Sequence, residues 1–205
     1  DSVSITGVQA VEITDGTVNQ YGLALATITE NALVSDPTNG SAFDGFDPAV
    51  DGTFYFNVEV PEGAMRFVSQ ITESASGDLD LFIGTGAVPD QANLVGFAAT
   101  GGALEYVNIN APAAGTYWVV VQNWEPGHAD PQPMKIATAV VVGDEGNMTV
   151  NAPLSQPAGE AFSIDIDFDI SGAMSGDRYY GAFDLGTDAA NAGNLGTTLI
   201  DLVRE

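Results

Sequence analysis

Residues 162–170 alternate without a break, with Phe162, Ile164, Ile166, Phe168 and Ile170 on one side and Ser163, Asp165, Asp167 and Asp169 on the other. An extended chain points successive side chains to opposite faces, so this run predicts a strand with one buried and one solvated face. Residues 54–60 form an aromatic and β-branched run that Pro61-Glu62-Gly63 stops. Comparable runs follow at 65–72, 78–83, 94–99, 104–109, 116–122 and 134–142, and again at 179–185 and 198–203. They recur about every ten residues with turn-forming residues between them, the spacing of a β-sandwich or jelly roll. No window sustains a period of 3.6, and residues 188–196, rich in Ala, Asn and Gly, read as loop. The expected fold class is all-β: a jelly-roll β-sandwich with a second, smaller β-sandwich.

The strand runs also suggest how the chain is divided. Only about four strands lie after residue 146, too few to close a sandwich by themselves. The first thirty residues supply partners at 3–5, 8–13 and 21–28, and Tyr21-Gly22-Leu23-Ala24-Leu25-Ala26-Thr27 echoes Tyr180-Gly181-Ala182-Phe183-Asp184-Leu185-Gly186-Thr187. The expected layout is a module at 36–143 inserted into a discontinuous domain built from 1–35 and 144–205. The alternative is that 144–205 stands separately.

Charge narrows the classes of partner. The chain carries 28 acidic and 4 basic residues, a formal net charge of −24. Such a surface repels phosphate backbones and anionic lipid, which argues against nucleic-acid binding and against membrane insertion. No apolar run approaches the roughly 20 residues needed to cross a bilayer as a helix. The acidic excess fits either a salty habitat, where counterions screen the repulsion, or the binding of several cations. There is no cysteine, so disulfides and thiolate metal sites do not arise. No leader segment opens the sequence, and a start at Asp1 reads as a mature or excised fragment.

Two segments carry a family resemblance. Gly77-Asp78-Leu79-Asp80-Leu81-Phe82-Ile83, followed by Ala111-Pro112-Ala113-Ala114-Gly115-Thr116-Tyr117-Trp118-Val119-Val120-Val121, resembles the bacterial pre-peptidase C-terminal domain. The preceding run at 54–60, ended by Pro-x-Gly, fits the same family. Residues 147–153 and 176–182 are similar to the tail that follows this module in secreted subtilisin-like proteases, a tail that resembles a small fibronectin-type-III-like sandwich. The resemblance implies a jelly-roll module, an extracellular location, and a parent serine protease whose catalytic domain is the first partner. It implies a role in export, folding or attachment to a protein or polysaccharide substrate, without choosing among them. Physical logic adds that Asp78 and Asp80 flank a strand start where short acceptors bind turn amides. Gly115 permits the tight turn, after which Tyr117, Val119 and Val121 share a face.

Catalysis within the chain is not expected. Ser171-Gly172-Ala173-Met174-Ser175-Gly176 resembles the subtilisin-like nucleophile segment, but Ala173 stands where that pattern needs its serine. His128 is the single histidine and lies in a Glu-Pro-Gly-His-Ala-Asp-Pro stretch with no triad partners nearby in sequence. Nothing singles out two carboxylates as a glycosidase pair. No cofactor is expected. Calcium is the one ion that the oxygen donors would suit, at the acidic loop 44–52 or along Asp165, Asp167 and Asp169. The loop lacks EF-hand spacing, and neighbouring aspartates on one strand face stand about 7 Å apart, so a solvated acidic face is the reading preferred for both.

Binding is the remaining chemistry. Trp118, Val120, Gln122 and Trp124 fall opposite Tyr117, Val119 and Val121, so Trp118 and Trp124 are the candidate binding residues, able to stack on sugar rings or pack on peptide surfaces. The competing reading makes the pair a contact between the two groups of strands. Three functional readings result: an accessory region of a secreted subtilisin-like protease, a free-standing carbohydrate- or protein-binding module, and a structural spacer.

Overall fold

The computed structural model describes residues 1–38, 40–125 and 130–205. The strands in chain order are β1 (Ser2–Val8), β2 (Thr17–Leu25), β3 (Thr27–Leu33), β4 (Thr53–Val60), β5 (Ala64–Ser74), β6 (Leu79–Thr85), β7 (Leu94–Ala98), β8 (Tyr106–Asn110), β9 (Gly115–Asn123), β10 (Gln132–Val142), β11 (Met148–Asn151), β12 (Phe162–Phe168), β13 (Arg178–Gly186) and β14 (Gly196–Val203). Two short 3-10 turns, Gln91–Asn93 and Ala189–Asn191, are the helical elements among the described residues. The fold is all-β, as the alternation predicts. The chain divides into two compact units, Asp1–Leu25 with Val141–Glu205, and Ala26–Val140.

The first unit holds two three-stranded antiparallel sheets, β1-β12-β11 and β14-β13-β2. Met148, Val150, Phe162, Ile164 and Ile166 of the first sheet meet Leu23, Tyr179, Phe183, Leu185 and Ile200 of the second in one core. Strand β12 keeps the alternation of its sequence, with Ser163, Asp165 and Asp167 exposed on the outer side. It stops at Phe168 rather than Ile170, because Asp169 turns its carboxylate back to the Ser171 amide at 3.0 Å. The two segments that echo one another in sequence lie side by side, with Tyr180 opposite Ala24 and Ala182 opposite Tyr21 across a bulge. A Cβ at Gly181 would meet the Gly22 carbonyl oxygen at 2.9 Å and the Leu23 side chain at 2.9 Å, so the close approach there requires glycine. Both ends of the chain are tied into this unit: the Asp1 ammonium donates to the Phe168 carbonyl at 3.1 Å, and the Asp1 carboxylate lies 3.7 Å from Arg204.

The second unit holds two four-stranded sheets, β3-β10-β5-β8 and β4-β9-β6-β7. Its core gathers Phe67 and Ile71 of β5, Leu79, Leu81 and Ile83 of β6, Tyr117, Val119 and Val121 of β9, and Met134 and Ile136 of β10. Tyr117, Val119 and Val121 are the inward positions expected for β9. Two expected elements differ. Residues 8–13 do not extend as a strand; Ile13 makes one isolated bridge to Gln156. Residues 21–28 are not one strand either, since the chain leaves β2 at Leu25 and starts β3 at Thr27, on a different sheet.

Candidate functional site

Trp118 sits at the middle of β9, opposite Gly84 of β6 and Asn57 of β4. It points away from the core, as the alternation requires, yet it is 0% exposed. The reason is the segment between β3 and β4, which lays Ala42, Phe43 and Phe46 over this face of the sheet and forms a second apolar cluster with Trp118, Val120, Tyr55 and Phe82. The Phe43 ring stands edge-on to Trp118 at 5.6 Å and to Phe82 at 5.9 Å. The indole Nε1 donates to the Thr85 carbonyl at 3.1 Å, and a Cβ at residue 84 would run into the indole ring, so Gly84 is the floor on which it lies. Trp118 therefore has no exposed surface to offer a ligand. The layer that covers it belongs to its own unit.

Trp124 follows the last residue of β9 and is half-buried. Its amide and that of Glu125 both donate to the Asp78 carbonyl, at 3.1 and 3.2 Å, which fixes it beside the head of β6. Around this strand end the chain assembles a polar network. Ser76 Oγ donates to Asn123 Oδ1 at 2.8 Å and approaches Glu125 Oε2 at 3.1 Å, and the Gly77 amide also donates to Glu125 Oε2. From the segment before β8, Glu105 accepts from the Thr100 amide at 2.7 Å and its hydroxyl at 2.6 Å. Across β9, Gln122 lies opposite Asp80 and gives its amide to Asp36, which also takes the Thr38 amide.

The Asp78 carboxylate does not act as a turn acceptor. It is the backbone carbonyl of Asp78 that receives the amides, while its Oδ1 is buried without a hydrogen-bond partner. Asp80 is 9% exposed. Burial, followed by the charges of Glu105 and Glu125, raises the Asp78 carboxyl above its ordinary range. Burial, followed by the charges of Asp78 and Glu105, pushes Asp80 up to about 6. Sequence reasoning missed this corner, although two acids at the edge of an apolar strand, and a third at 105 before another, were visible.

The other candidates are spread through the molecule. In the acidic loop, Asp47 accepts the Ala49 amide and Asp51 accepts the Asp47 amide, both at 2.9 Å, so these carboxylates shape their own turn. On β12, Asp165 accepts from Ser4 and Asp167 from Asn151. Among the described residues no group of three or more His, Cys, Asp or Glu stands ready-made to hold a metal ion. The stretch at Ser171–Gly176 is a turn, with the Ala173 amide on the Ile170 carbonyl and the Met174 amide on Asp177. His128 lies outside the described residues. Among those described, no helix is long and apolar enough to cross a membrane.

Comparison with solved structures gives weak likenesses. The periplasmic inhibitor of g-type lysozyme PliG from Aeromonas hydrophila is 17% identical, with a TM-score of 0.36, over 57% of this chain and 88% of that one. The M60 catalytic domain with two CBM51 domains from Clostridium perfringens ZmpB is 11% identical, with a TM-score of 0.27, over 72% of this chain and 17% of that one. No curated protein sequence matches. Within the second unit, from just before β4 to the end of β9, residues 52–123 match the model of the bacterial pre-peptidase C-terminal domain.

Proposed function

We propose that this chain is the non-catalytic accessory region of a secreted bacterial subtilisin-like protease. In this reading the second unit is a jelly-roll pre-peptidase C-terminal domain, and the first is a fibronectin-type-III-like sandwich serving as its companion. The observation that carries it is the family match over residues 52–123. The role favoured among export, folding and substrate engagement is engagement of a protein substrate by the end of the second unit where Trp124 emerges. Trp124 is the one tryptophan with surface left to offer, and its backbone is pinned to β6 by the amide bonds to Asp78. A rigidly held, part-exposed aromatic ring at a strand end loses little conformational entropy on binding.

The test is sedimentation of the purified chain with insoluble casein, collagen and chitin. Retention on the protein matrices, weakened several-fold by Trp124→Ala, is expected. The reading fails if the chain binds none of them and if its removal from the parent protease changes neither secreted yield nor hydrolysis of insoluble protein.

A further inference from the structure

We propose that the free edge of β7 takes up an extended, cationic segment of a partner protein, with Phe97 as its anchor. Strand β7 is an end strand of the sheet β4-β9-β6-β7 and, among the described residues, pairs with β6 alone. Such a strand leaves a row of backbone N–H and C=O groups with which another chain can pair. Phe97 is 64% exposed, the most exposed aromatic side chain among the described residues. It is nevertheless held in place: it lies opposite Phe82 in register and stacks on that ring at 6.4 Å, with the planes 20° apart. Phe82 meets Phe43 at 5.9 Å and Phe43 meets Trp118 at 5.6 Å, so Phe97 is the outer end of a row of four rings whose inner end is a fully buried indole. The inner face of β7 is equally fixed, because a Cβ at Gly96 would meet the Val107 side chain at 2.9 Å. Val95, 49% exposed, is the residue left over where the β6–β7 register shifts, and such a bulge re-aims a side chain at a strand edge.

Open main-chain groups beside a rigid apolar anchor are what strand addition uses: the backbone supplies hydrogen bonds and alternate side chains supply selectivity. An anchor already held by packing loses little conformational freedom on binding. The end strand β3 of the other sheet is blunted by comparison, since Asn31 turns its own Oδ1 to the Ala32 amide at 2.8 Å. Charge decides the occupant. Between Arg66 and Lys135 the sequence has seven acidic residues and no lysine or arginine. Asp44, next to Phe43 in the roof, and Asp90, in the turn before β7, are both exposed. A second copy of this chain would bring two acidic, base-free surfaces together, and a polyanion would be repelled. A segment with lysine or arginine on either side of a large apolar residue matches both properties: its charge finds the acids and its apolar side chain covers Phe97. This surface is separate from Trp124, which follows β9, and does not depend on the accessory role proposed above.

The probe is a fluorescein-labelled peptide that alternates lysine with valine around a central phenylalanine, titrated against the full chain by fluorescence anisotropy. Its controls are a peptide with glutamate for lysine, one with serine for every apolar residue, and one N-methylated at every second residue so that it cannot pair along a strand. The parent peptide should bind with a micromolar Kd at low salt and more weakly as sodium chloride is raised. Each control should bind about tenfold more weakly or worse. Phe97→Ala should weaken binding of the parent peptide by about tenfold or more. Its unfolding midpoint should stay close to that of the wild-type chain, because the ring is largely exposed. Trp124→Ala should leave peptide binding unchanged, which separates this surface from the one that engages insoluble protein. Absence of binding, undiminished binding in Phe97→Ala, or equal binding of any control peptide would overturn the proposal. So would a dimer in sedimentation velocity that Phe97→Ala dissolves, because the occupant would then be a second copy.

Discussion

Asp165-Ile166-Asp167 in β12 and Asp78-Leu79-Asp80 at the head of β6 follow the same alternation and come to opposite ends. In β12 the carboxylates face outward, stay exposed, and accept hydrogen bonds from Ser4 and Asn151. At β6 the outer face of the sheet is roofed by residues 42–46 further along and crowded by Glu105 and Glu125 at its head, and Asp80 is shut in. Alternation decides which side of a sheet a residue occupies. Whether that side is solvent depends on a connection many residues away. The contrast separates two kinds of acidity in one strongly negative chain: charge spread over water, where it costs little, and charge shut in at a strand head, where each carboxyl raises the proton affinity of the next.

The roof is the part of this contrast with the largest stake. Trp118→Ala removes a fully buried indole, and a loss of about 3–5 kcal/mol is expected in urea unfolding. Phe43→Ala, which thins the roof without emptying the sheet face, should cost less than Trp118→Ala in the same unfolding experiment. A loss as large as that of Trp118→Ala would mean that the roof, and not the indole, holds this face together.

The next effect concerns pH. The folded chain holds the Asp80 proton up to about pH 6, whereas the unfolded chain releases it near 3.8. Between these values the folded state binds more protons, so this group's contribution makes stability fall as pH rises through that window. Asp80→Asn should flatten this part of the profile and stabilise the chain above pH 6 by about 1–3 kcal/mol. A profile that keeps its slope in the variant would assign the effect to other carboxyls.

The sequence was most legible where one face meets core and the other meets water. The limits of β12 can be read to within two residues, and the inward set Tyr117, Val119 and Val121 follows from spacing alone. It was least legible where neighbours in sequence part company in space. Tyr21 to Ile28 looks continuous because β2 and β3 are both apolar, and nothing local says that the two belong to different sheets. Alternation puts Trp118 on the outer face of its sheet, but nothing near it in sequence says that the cover comes from residues 42–46. Phe43 and Phe46, two large apolar rings among the acids of that stretch, were the available hint.

Smaller effects complete the comparison. Trp124→Ala removes a half-buried ring and should cost about 1 kcal/mol or less, far below Trp118→Ala, so that any loss of binding to insoluble protein can be read separately from folding. Asp165→Asn and Asp167→Asn should change stability by no more than about 0.5 kcal/mol, measured by the same urea unfolding. A loss above 1 kcal/mol at either position would erase the distinction between the two aspartate pairs.

The braiding of both chain ends into the first unit sets a timetable. Strands β1 and β2 are made before their hydrogen-bonding partners β12 and β13, so during synthesis they wait with open strand edges while Ala26–Val140 emerges. The second unit has all its strands in one continuous stretch and can collapse in the interval, which shortens the span that the ends must bridge and lowers the entropy cost of joining them. Completion of the first unit therefore waits until the second unit has been made, a dependence written in strand order.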